Sequence, residues 1–263
     1  MARAIYGGLL YNGFSATNLS VVDPSAAAQD NARRAGIEHI FDSAPSEALL
    51  ADLIVLAIKP QITKAALQPL AGQLGTHSLV LSIVAGINAE SLAALLGLSD
   101  TGHIIRCMPN TPALVGEGMT GLFASREAGS AEGKALAERV MSSVGQCVWV
   151  ENESDLDVVT AISGSGPAYF FLFIESLTDA AIALGMNGES ARKLALQTAL
   201  GASRLASLSS EDAATLRKNV TSPGGTTEQA IQAFEAADIR GIVAQATQAA
   251  ARRSLELSKE FGA

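Results

Sequence analysis

The first part of the chain alternates short apolar segments with helical patterns, and this alternation constrains the fold more than any other feature. Four segments have the apolar, β-branched character of strands, at 19–22, 52–58, 79–84 and 103–107. Helical patterns lie between them. Because residues 52–58 are almost continuously apolar, we expect a strand covered on both faces of a parallel sheet. The alternation therefore predicts an α/β fold with an open, doubly wound parallel sheet.

No strand pattern recurs after residue 156, so the rest of the chain is predicted to be helical. Polar residues 151–155 mark the boundary, which gives an α/β domain at 1–152 and a helical domain at 153–263. The helices predicted there, at 169–184, 189–208, 211–218 and 227–259, are mostly rich in Ala. Broad faces of small residues in so short a domain favour packing against a second copy of the chain. We therefore expect a homodimer or a higher homo-oligomer.

Two stretches break the regular pattern with Gly and Pro. Gly164, Gly166 and Pro167 interrupt an apolar helical stretch, where Gly and Pro cost ~1 and ~3 kcal/mol in a helix interior. A helix bent there lets another backbone pass close, and a plain break between two helices is the alternative. In the segment 108–112, two prolines around Asn-Thr predict an extended turn that can line a pocket.

Ligands of doubly wound sheets bind beyond the carboxyl ends of the strands, and three strand ends carry candidate contacts in addition to residues 108–112. Asp23 ends the first strand, where an acid either accepts a hydrogen bond from a ribose hydroxyl or caps the following helix, and both interpretations stay open. The other two ends are either ligand contacts or ordinary loop geometry. The candidate residues are Asp23, Ala57, Ile58, Lys59, Pro60, Ile83, Val84 and Ala85.

A second candidate site lies at the corner between two helical patterns, residues 216–231. Pro223, Gly224 and Gly225 end the first helix, and Thr226 with Gln229 has the spacing of a capping box that starts the next. A helix start with bare N–H groups and a positive dipole end receives a carboxylate or a phosphate. The alternative is an ordinary helix–loop–helix corner. The cluster of small polar side chains favours the anion site: Asn219, Thr221, Ser222, Thr226 and Thr227.

Composition excludes several classes of protein. The net charge of −8 comes with no Lys/Arg cluster longer than a pair, which disfavours binding to nucleic acids and to anionic membranes. We expect no apolar run of transmembrane length, and the first residues lack the long apolar core of a signal peptide. Cys107 and Cys147 have no metal or redox spacing, so we interpret them as reduced core residues of a cytoplasmic protein. The three histidines are scattered, and no metal site is predicted.

Four segments together resemble the pyrroline-5-carboxylate reductase family, in order and in spacing across nearly the whole chain. They are Ala57-Ile58-Lys59-Pro60, residues 106–112 (RCMPNTP), residues 163–169 (SGSGPAY) and residues 218–227 (KNVTSPGGTT). The resemblance implies an N-terminal Rossmann-like, dinucleotide-binding domain and a helical C-terminal domain that interlocks with its partner in a dimer. It also implies NAD(P)H-dependent reduction of a cyclic imine to proline.

The chain departs from the family pattern at its start. Family members open with a strand and a glycine-rich turn before the helix that residues 1–13 predict here. Without that turn the sheet loses its central strand, and the pyrophosphate loses a binding site at a helix start. We expect the natural protein to be about ten residues longer, a short strand plus its turn, which the intact mass of the native protein would test.

The substrate implied by the resemblance is a five-membered ring with one C=N bond and one carboxylate. We place the carboxylate at the helix start, on Ser222, Gly224, Gly225, Thr226 and Thr227. The Thr227 hydroxyl is the candidate catalytic group near the ring nitrogen. By resemblance, Asn219 reaches the nicotinamide end of the cofactor, and the strand-end residues line the rest.

Two features of the sequence give opposite indications of whether NAD or NADP is the preferred cofactor. Asp23 favours NAD, because a carboxylate repels a 2′-phosphate, while Ser25 or Arg33 can compensate. Because the family often prefers NADPH, NADP is expected, with NAD as the alternative.

Two other functions compete with reduction of a cyclic imine. Dehydrogenases of the hydroxyacid type are similar in architecture, but they place a lysine after a glycine-rich helix start, and residues 164–178 contain none. The other competing function is that of a nucleotide-binding scaffold that catalyses no reaction. Oxidation of NAD(P)H on addition of pyrroline-5-carboxylate separates all three.

Overall fold

A computed structural model of the protein describes residues 1–125 and 129–261, which form two compact units. The first unit comprises residues 1–165 and 250–263 and contains the strands. Its strands are β1 (Ser20–Val22), β2 (His39–Phe41), β3 (Leu53–Leu56), β4 (Leu79–Ser82), β5 (Ile104–Met108), β6 (Gly118–Ala124) and β7 (Gly145–Trp149). Its helices are α1 (Ala2–Tyr11), α2 (Ala26–Arg34), α3 (Pro60–Leu67), α4 (Ala89–Leu96), α5 (Ala131–Met141) and α6 (Asp155–Val159).

The predicted α/β class is confirmed, and the described strands are divided between two sheets. β1 and β2 form a parallel pair, and a separate five-stranded sheet has the order β3-β4-β5-β6-β7. β3, β4 and β5 are parallel, with Leu56 opposite Ser82 and Ser82 opposite Arg106. β6 runs antiparallel to β5 and parallel to β7. The carboxyl ends of β3, β4 and β5 therefore share one edge of the sheet.

Side chains from both faces of the five-stranded sheet are buried, as expected for a doubly wound fold. All four residues of β4 are buried, and they alternate between two apolar clusters. Leu79 and Leu81 pack with Ile105 and Met141 in one cluster. Val80 belongs to the other, which packs against α4. The helices on both faces thus fix β4, whose carboxyl end carries candidate ligand contacts.

The second unit, residues 166–249, is helical throughout its length. It contains α7 (Gly166–Ala183), α8 (Gly188–Leu208), α9 (Ala213–Asn219), α10 (Thr226–Ala236) and the first part of α11 (Ile239–Phe261). α7 packs along α8, and the ring of Phe173 lies 6.1 Å from that of Phe234 on α10. These compact units divide the chain at 165/166 and again at 249/250. The predicted domain boundary lies elsewhere, at 152/153.

One long helix predicted from the sequence is two helices in the structure. α10 ends at Ala236 and α11 begins at Ile239, so the predicted helix 227–259 is wrong in its middle. Asp238 separates them with a left-handed φ of 54°, and its carboxylate accepts a hydrogen bond from the Gly241 N–H at 3.2 Å. An Asp tolerates this conformation better than most residues, because its short side chain bonds locally.

A continuous helical stretch runs from Asp155 to Ala183, with a mean hydropathy of 1.3 over its most apolar window. It is long and apolar enough to cross a membrane, which corrects the expectation that no apolar run reaches that length. Length and composition alone are weak grounds for a membrane span, since core helices of water-soluble proteins pass the same test. Much of its apolar surface is exposed in this single chain, including Phe170, Phe171 and Leu172.

Candidate active site

Asp23 lies directly after β1, and its carboxylate is only partly used. One oxygen accepts the Ser25 N–H at 2.8 Å, which orders the turn into α2. Hydrogen bonds within residues 1–125 and 129–261 leave the second oxygen without a donor. Asp23 therefore stabilises the turn before α2 but does not cap the helix, whose N-cap is Ser25, and its second oxygen is open to a ligand. Arg33 is paired with Asp30 at 2.7 Å and with Gln29, so its guanidinium is already engaged on α2.

The ends of β3 and β4 present backbone and small side chains. Lys59 precedes α3 with an exposed side chain, and its carbonyl oxygen accepts hydrogen bonds from Ile62 and Thr63. Ile58 packs on the apolar cluster beneath. Just after β4, Ile83 is half-buried and Ala85 is exposed, whereas Val84 is only 1% exposed. A ligand at this edge can therefore reach Val84 only through its backbone.

The loop after β4 is held by a carboxylate from much later in the chain. Glu153 Oε1 accepts the Ala89 N–H at 2.7 Å, at the start of α4, and pairs with Arg106 Nη1 at 3.0 Å. Arg106 Nε is buried and has no partner among the described residues. Sequence reasoning missed this network. The only signal was an arginine in an otherwise apolar strand.

The predicted turn after β5 is a short 3-10 helix, Thr111–Val115, and Asn110 precedes it in an extended conformation. The Asn110 amide does not cap that helix. Its Nδ2 donates to the Ser163 carbonyl at 3.0 Å, and its Oδ1 accepts the Met119 N–H at 2.9 Å. Asn110 is 9% exposed. Both ends of a buried amide are thus satisfied by backbone groups distant in sequence.

The predicted interruption near residue 165 is a π-helical turn at Thr160–Gly164, and the helical stretch continues through it without a break. The Ser165 N–H donates to the Thr160 carbonyl five residues earlier, at 2.8 Å. π turns inside α-helices occur often at functional sites. A Cβ added to Gly164 would lie 2.8 Å from Met108 Cε, so this turn packs closely against the flexible side chain at the end of β5.

In the second unit, the corner before α10 differs from the predicted capping box. The N-cap of α10 is Gly225 and no side chain caps it, so Thr226 and Gln229 do not form the box. Instead Glu228 Oε2 accepts the Gly224 N–H at 2.7 Å, and the Ser222 carbonyl accepts the Gly225 N–H at 3.0 Å. Gly224 adopts a left-handed φ of 72°, as this turn requires.

The donors that remain at this corner are those of the first helical turn. In the described part of the chain, the N–H groups of Thr226, Thr227 and Glu228 have no acceptor. The hydroxyls of Ser222, Thr226 and Thr227 likewise have no partner there, whereas Thr221 donates to the Arg217 carbonyl at 2.6 Å. A single helix start thus offers bare N–H groups and unengaged hydroxyls to one small anion.

Asn219 is the last residue of α9 and is exposed. Its side-chain amide donates to Glu211 Oε2 at 2.9 Å. Asp212 caps the start of the same helix, and the hydrogen bond from the Thr215 N–H holds the pKa of this carboxyl below its usual range. Asn219 is therefore held in position at the end of α9, and its amide oxygen has no hydrogen-bond donor among the described residues.

Neither cysteine offers a reactive thiol. Both are free of disulfides, and burial raises the pKa of the Cys107 thiol far above its usual range. Burial also raises the pKa of Cys147. Among residues 1–125 and 129–261, no group of His, Cys, Asp or Glu could hold a metal ion.

Comparison with protein families gives two matches. Residues 153–257 match the family described as pyrroline-5-carboxylate reductase dimerisation. Residues 1–86 match the family described as NADP oxidoreductase coenzyme F420-dependent. The first match lies within the predicted helical half and the second within the predicted α/β half, and the dimerisation family supports assembly into a homo-oligomer.

Similar proteins span the whole chain. A pyrroline-5-carboxylate reductase of Pseudomonas aeruginosa is 44% identical, over 100% of this chain and 95% of the relative. The solved structure of a pyrroline-5-carboxylate reductase from Coxiella burnetii is 39% identical, with a TM-score of 0.90 over 97% of this chain and 94% of that one. Plasmodium falciparum pyrroline carboxylate reductase, solved with NADP bound, is 31% identical, with a TM-score of 0.82 over 98% and 94%.

Proposed function

This chain belongs to the pyrroline-5-carboxylate reductase family and reduces 1-pyrroline-5-carboxylate to L-proline with NAD(P)H, and we propose how its residues perform that reaction. The observation that carries the proposal is the start of α10, where the N–H groups of Thr226 and Thr227 have no acceptor in the described structure. These donors suit the carboxylate of the substrate. Charge-assisted hydrogen bonds and the helix dipole together contribute about 2 kcal/mol or more to such a contact.

An assay with a truncated substrate tests the carboxylate contact. The unmodified protein should oxidise NADH or NADPH when 1-pyrroline-5-carboxylate is added, and the reaction is measured as the loss of dihydronicotinamide absorbance. The same ring without its carboxylate, 1-pyrroline, should have a KM about thirtyfold higher, which corresponds to losing ~2 kcal/mol of binding. Equal KM values for the two rings would contradict the proposed anion site.

Ser222, Gly224 and Gly225 shape the turn in front of the bare N–H groups, and Thr227 acts at the ring. In the protonated imine, the ring nitrogen already carries its proton. Hydride addition to the imine carbon moves the C=N electron pair onto nitrogen, so no strong general acid is needed. The Thr227 hydroxyl accepts the N–H of the ring and orients it. The absence of His, Lys and Cys from residues 219–227 is consistent with this chemistry.

The cofactor is held by the strand ends of the first unit. Asp23 contributes its unengaged oxygen to the adenosine ribose, and Ala57 to Pro60 with Ile83 to Ala85 line the remainder, Val84 through its backbone. When bound, the dihydronicotinamide supplies the hydride. Asn219 contributes its amide to the nicotinamide end. NADP is the proposed cofactor, with NAD as the alternative.

Replacing Asp23 with asparagine tests how the cofactor is chosen. Asn keeps the oxygen that accepts the Ser25 N–H, but it removes the charge that repels a 2′-phosphate. We expect the ratio of kcat/KM for NADPH to that for NADH to rise about tenfold, equivalent to ~1.4 kcal/mol. Asp42→Asn, at the end of the neighbouring strand β2, is the matched control. A ratio that moves equally in both variants would remove Asp23 from cofactor discrimination.

Glu228 places a negative charge at the proposed carboxylate site, because its side chain bonds the Gly224 N–H. Glu228→Gln keeps an acceptor for that N–H and removes the repulsion. We expect the KM for pyrroline-5-carboxylate to fall about threefold at low salt, with kcat unchanged. Glu189→Gln, in the first turn of α8, removes the same charge at another helix start and should have no effect. A KM that does not respond to Glu228→Gln would place the substrate carboxylate elsewhere.

We also propose a homodimer in the cytoplasm, formed through the helices of the second unit. Large apolar side chains on α7 and α8 are exposed in the single chain, among them Phe171, Leu172, Leu200 and Leu208. Contiguous apolar surface of this extent marks an interface. A partner copy of the same helical unit is the occupant that the dimerisation match supports. Sedimentation of a monomer at micromolar concentration would contradict this.

A further inference from the structure

We propose that Asn110 is a positioning residue for the nicotinamide half of the cofactor, acting through the π turn at Thr160–Gly164. The inference rests on the cofactor site proposed above at the carboxyl ends of the strands. Asn110 itself is buried and both functions of its amide are bound to backbone, so it has nothing left to offer a ligand directly. Its effect has to pass through the groups that it holds.

The Ser163 carbonyl needs the Asn110 amide, because the helix cannot supply a donor. In an α-helix, the carbonyl of residue 163 accepts the N–H of residue 167. Residue 167 is proline, which has no N–H and whose ring crowds the carbonyl four residues earlier. Asn110 Nδ2 donates to this carbonyl at 3.0 Å. A buried carbonyl left without a partner is costly, so Asn110 stabilises the turn in this conformation.

The π turn lies against the carboxyl end of β5. Gly164 packs against Met108, the last residue of that strand. Gly121 is opposite Met108 in the sheet, and an added Cβ there would lie 2.6 Å from Val159 Cγ1, just before the turn. Two close contacts with glycine therefore fix residues 159–164 over one strand end.

That strand end is next to the end of β4, where Ile83 and Ala85 are proposed cofactor contacts. Asp23, proposed for the adenosine ribose, follows β1, which belongs to the separate two-stranded sheet. Because a dinucleotide extends across the strand ends, the β4 and β5 ends serve its other half. A displaced π turn should therefore disturb the nicotinamide half and leave the adenosine half bound.

The experiment compares two ligands on folded variants. Dissociation constants are measured for ADP-ribose and for whichever of NADH and NADPH the unmodified protein binds more tightly. Asn110→Ala should weaken the dinucleotide about tenfold and change ADP-ribose less than about twofold. Asn18→Ala, an exposed asparagine of the same unit, is the matched control and should change neither.

A second substitution tests the hydrogen bond itself. Pro167→Ala returns an N–H to the position from which the helix would supply the Ser163 carbonyl with a donor. Alone it should change dinucleotide affinity less than about twofold, since Asn110 is still present. Combined with Asn110→Ala, it should recover most of the tenfold loss, a non-additive result expected for groups that share a partner.

Each outcome decides the proposal. Equal weakening of ADP-ribose and dinucleotide, or unchanged affinity for both with only a lower Tm, would reduce Asn110 to a structural role. A double variant as weak as Asn110→Ala would show that the Ser163 carbonyl is not the link. Failure of the unmodified protein to bind either ligand would instead refute the proposed cofactor site.

Discussion

Replacing Thr227 with alanine is expected to lower kcat for pyrroline-5-carboxylate about a hundredfold, because the ring loses the hydroxyl that orients it and a misplacement of about 1 Å can cost that much. The structure leaves the Thr227 hydroxyl without a partner among the described residues, while its N–H lies in the bare first turn of α10. Alanine keeps that N–H and the helix. Because only the hydroxyl is removed, KM should change far less than kcat. Steady-state kinetics with saturating cofactor measure both.

Two further variants separate the hydroxyl from its surroundings. Thr227→Ser keeps the O–H and should retain activity within about threefold of the unmodified enzyme. Thr247→Ala removes a threonine hydroxyl that bonds only to its own helix α11, and should leave the kinetics unchanged. If Thr227→Ala retained full kcat, the ring nitrogen would be oriented by another group, and Thr227 would contribute only its N–H.

Adding one methyl group at Gly8 is expected to lower Tm by about 6 to 12 °C, from a loss of ~3 kcal/mol in stability. A Cβ at Gly8 would lie 2.5 Å from the Ser143 carbonyl oxygen and 2.6 Å from Val144 Cγ1. Neither neighbour moves easily. Val144 is 1% exposed in the core, and Asn12 Nδ2 bonds the same Ser143 oxygen at 3.2 Å. α1 would have to shift away from the segment before β7.

The adjacent glycine provides the control within the same helix. An added Cβ at Gly7 meets nothing within 4 Å. Gly7→Ala should therefore raise stability by about 0.5–1 kcal/mol, because alanine favours the helix. Thermal unfolding of both variants at equal protein concentration makes the comparison. If Gly8→Ala and Gly7→Ala behaved alike, the packing of α1 described above would be incorrect.

Much of the fold could be predicted from the sequence, because local signals and tertiary structure agree there. The apolar run at 52–58 predicts a strand, and β3 lies there, although only Leu56 of its four residues is buried. The two glycines before the polar start of α10 predict a helix start with bare N–H groups, which the structure also has. β6 is an element whose position in the sheet local sequence patterns do not predict. Nothing in its own residues indicates that β6 runs antiparallel to β5 and lies between β5 and β7, since strand order depends on pairing with distant residues.

Other features depend on long-range or single-residue choices. Glu153 bonds the start of α4 across 64 positions, and no spacing rule relates the two. Thr226 and Gln229 have the spacing of a capping box, but Gly225 is the N-cap of α10. The Glu228 carboxylate instead accepts a hydrogen bond from the Gly224 N–H in the preceding turn. Asp238 broke a long helix with a left-handed residue that is not glycine. In each case, tertiary or local hydrogen bonds overrode a weak propensity.

The last turns of α11 return to the first unit. The Ser254 hydroxyl bonds Asp157 at 2.6 Å, and the carbonyl of Leu257 approaches the position of a Cβ on Gly86 to 3.2 Å. Topologically, residues 166–249 are thus an insertion whose flanking sequences both belong to the nucleotide-binding half. A fragment that ends at residue 165 would lack the last turns of α11, and the loop after β4 would lose the segment that packs beside it.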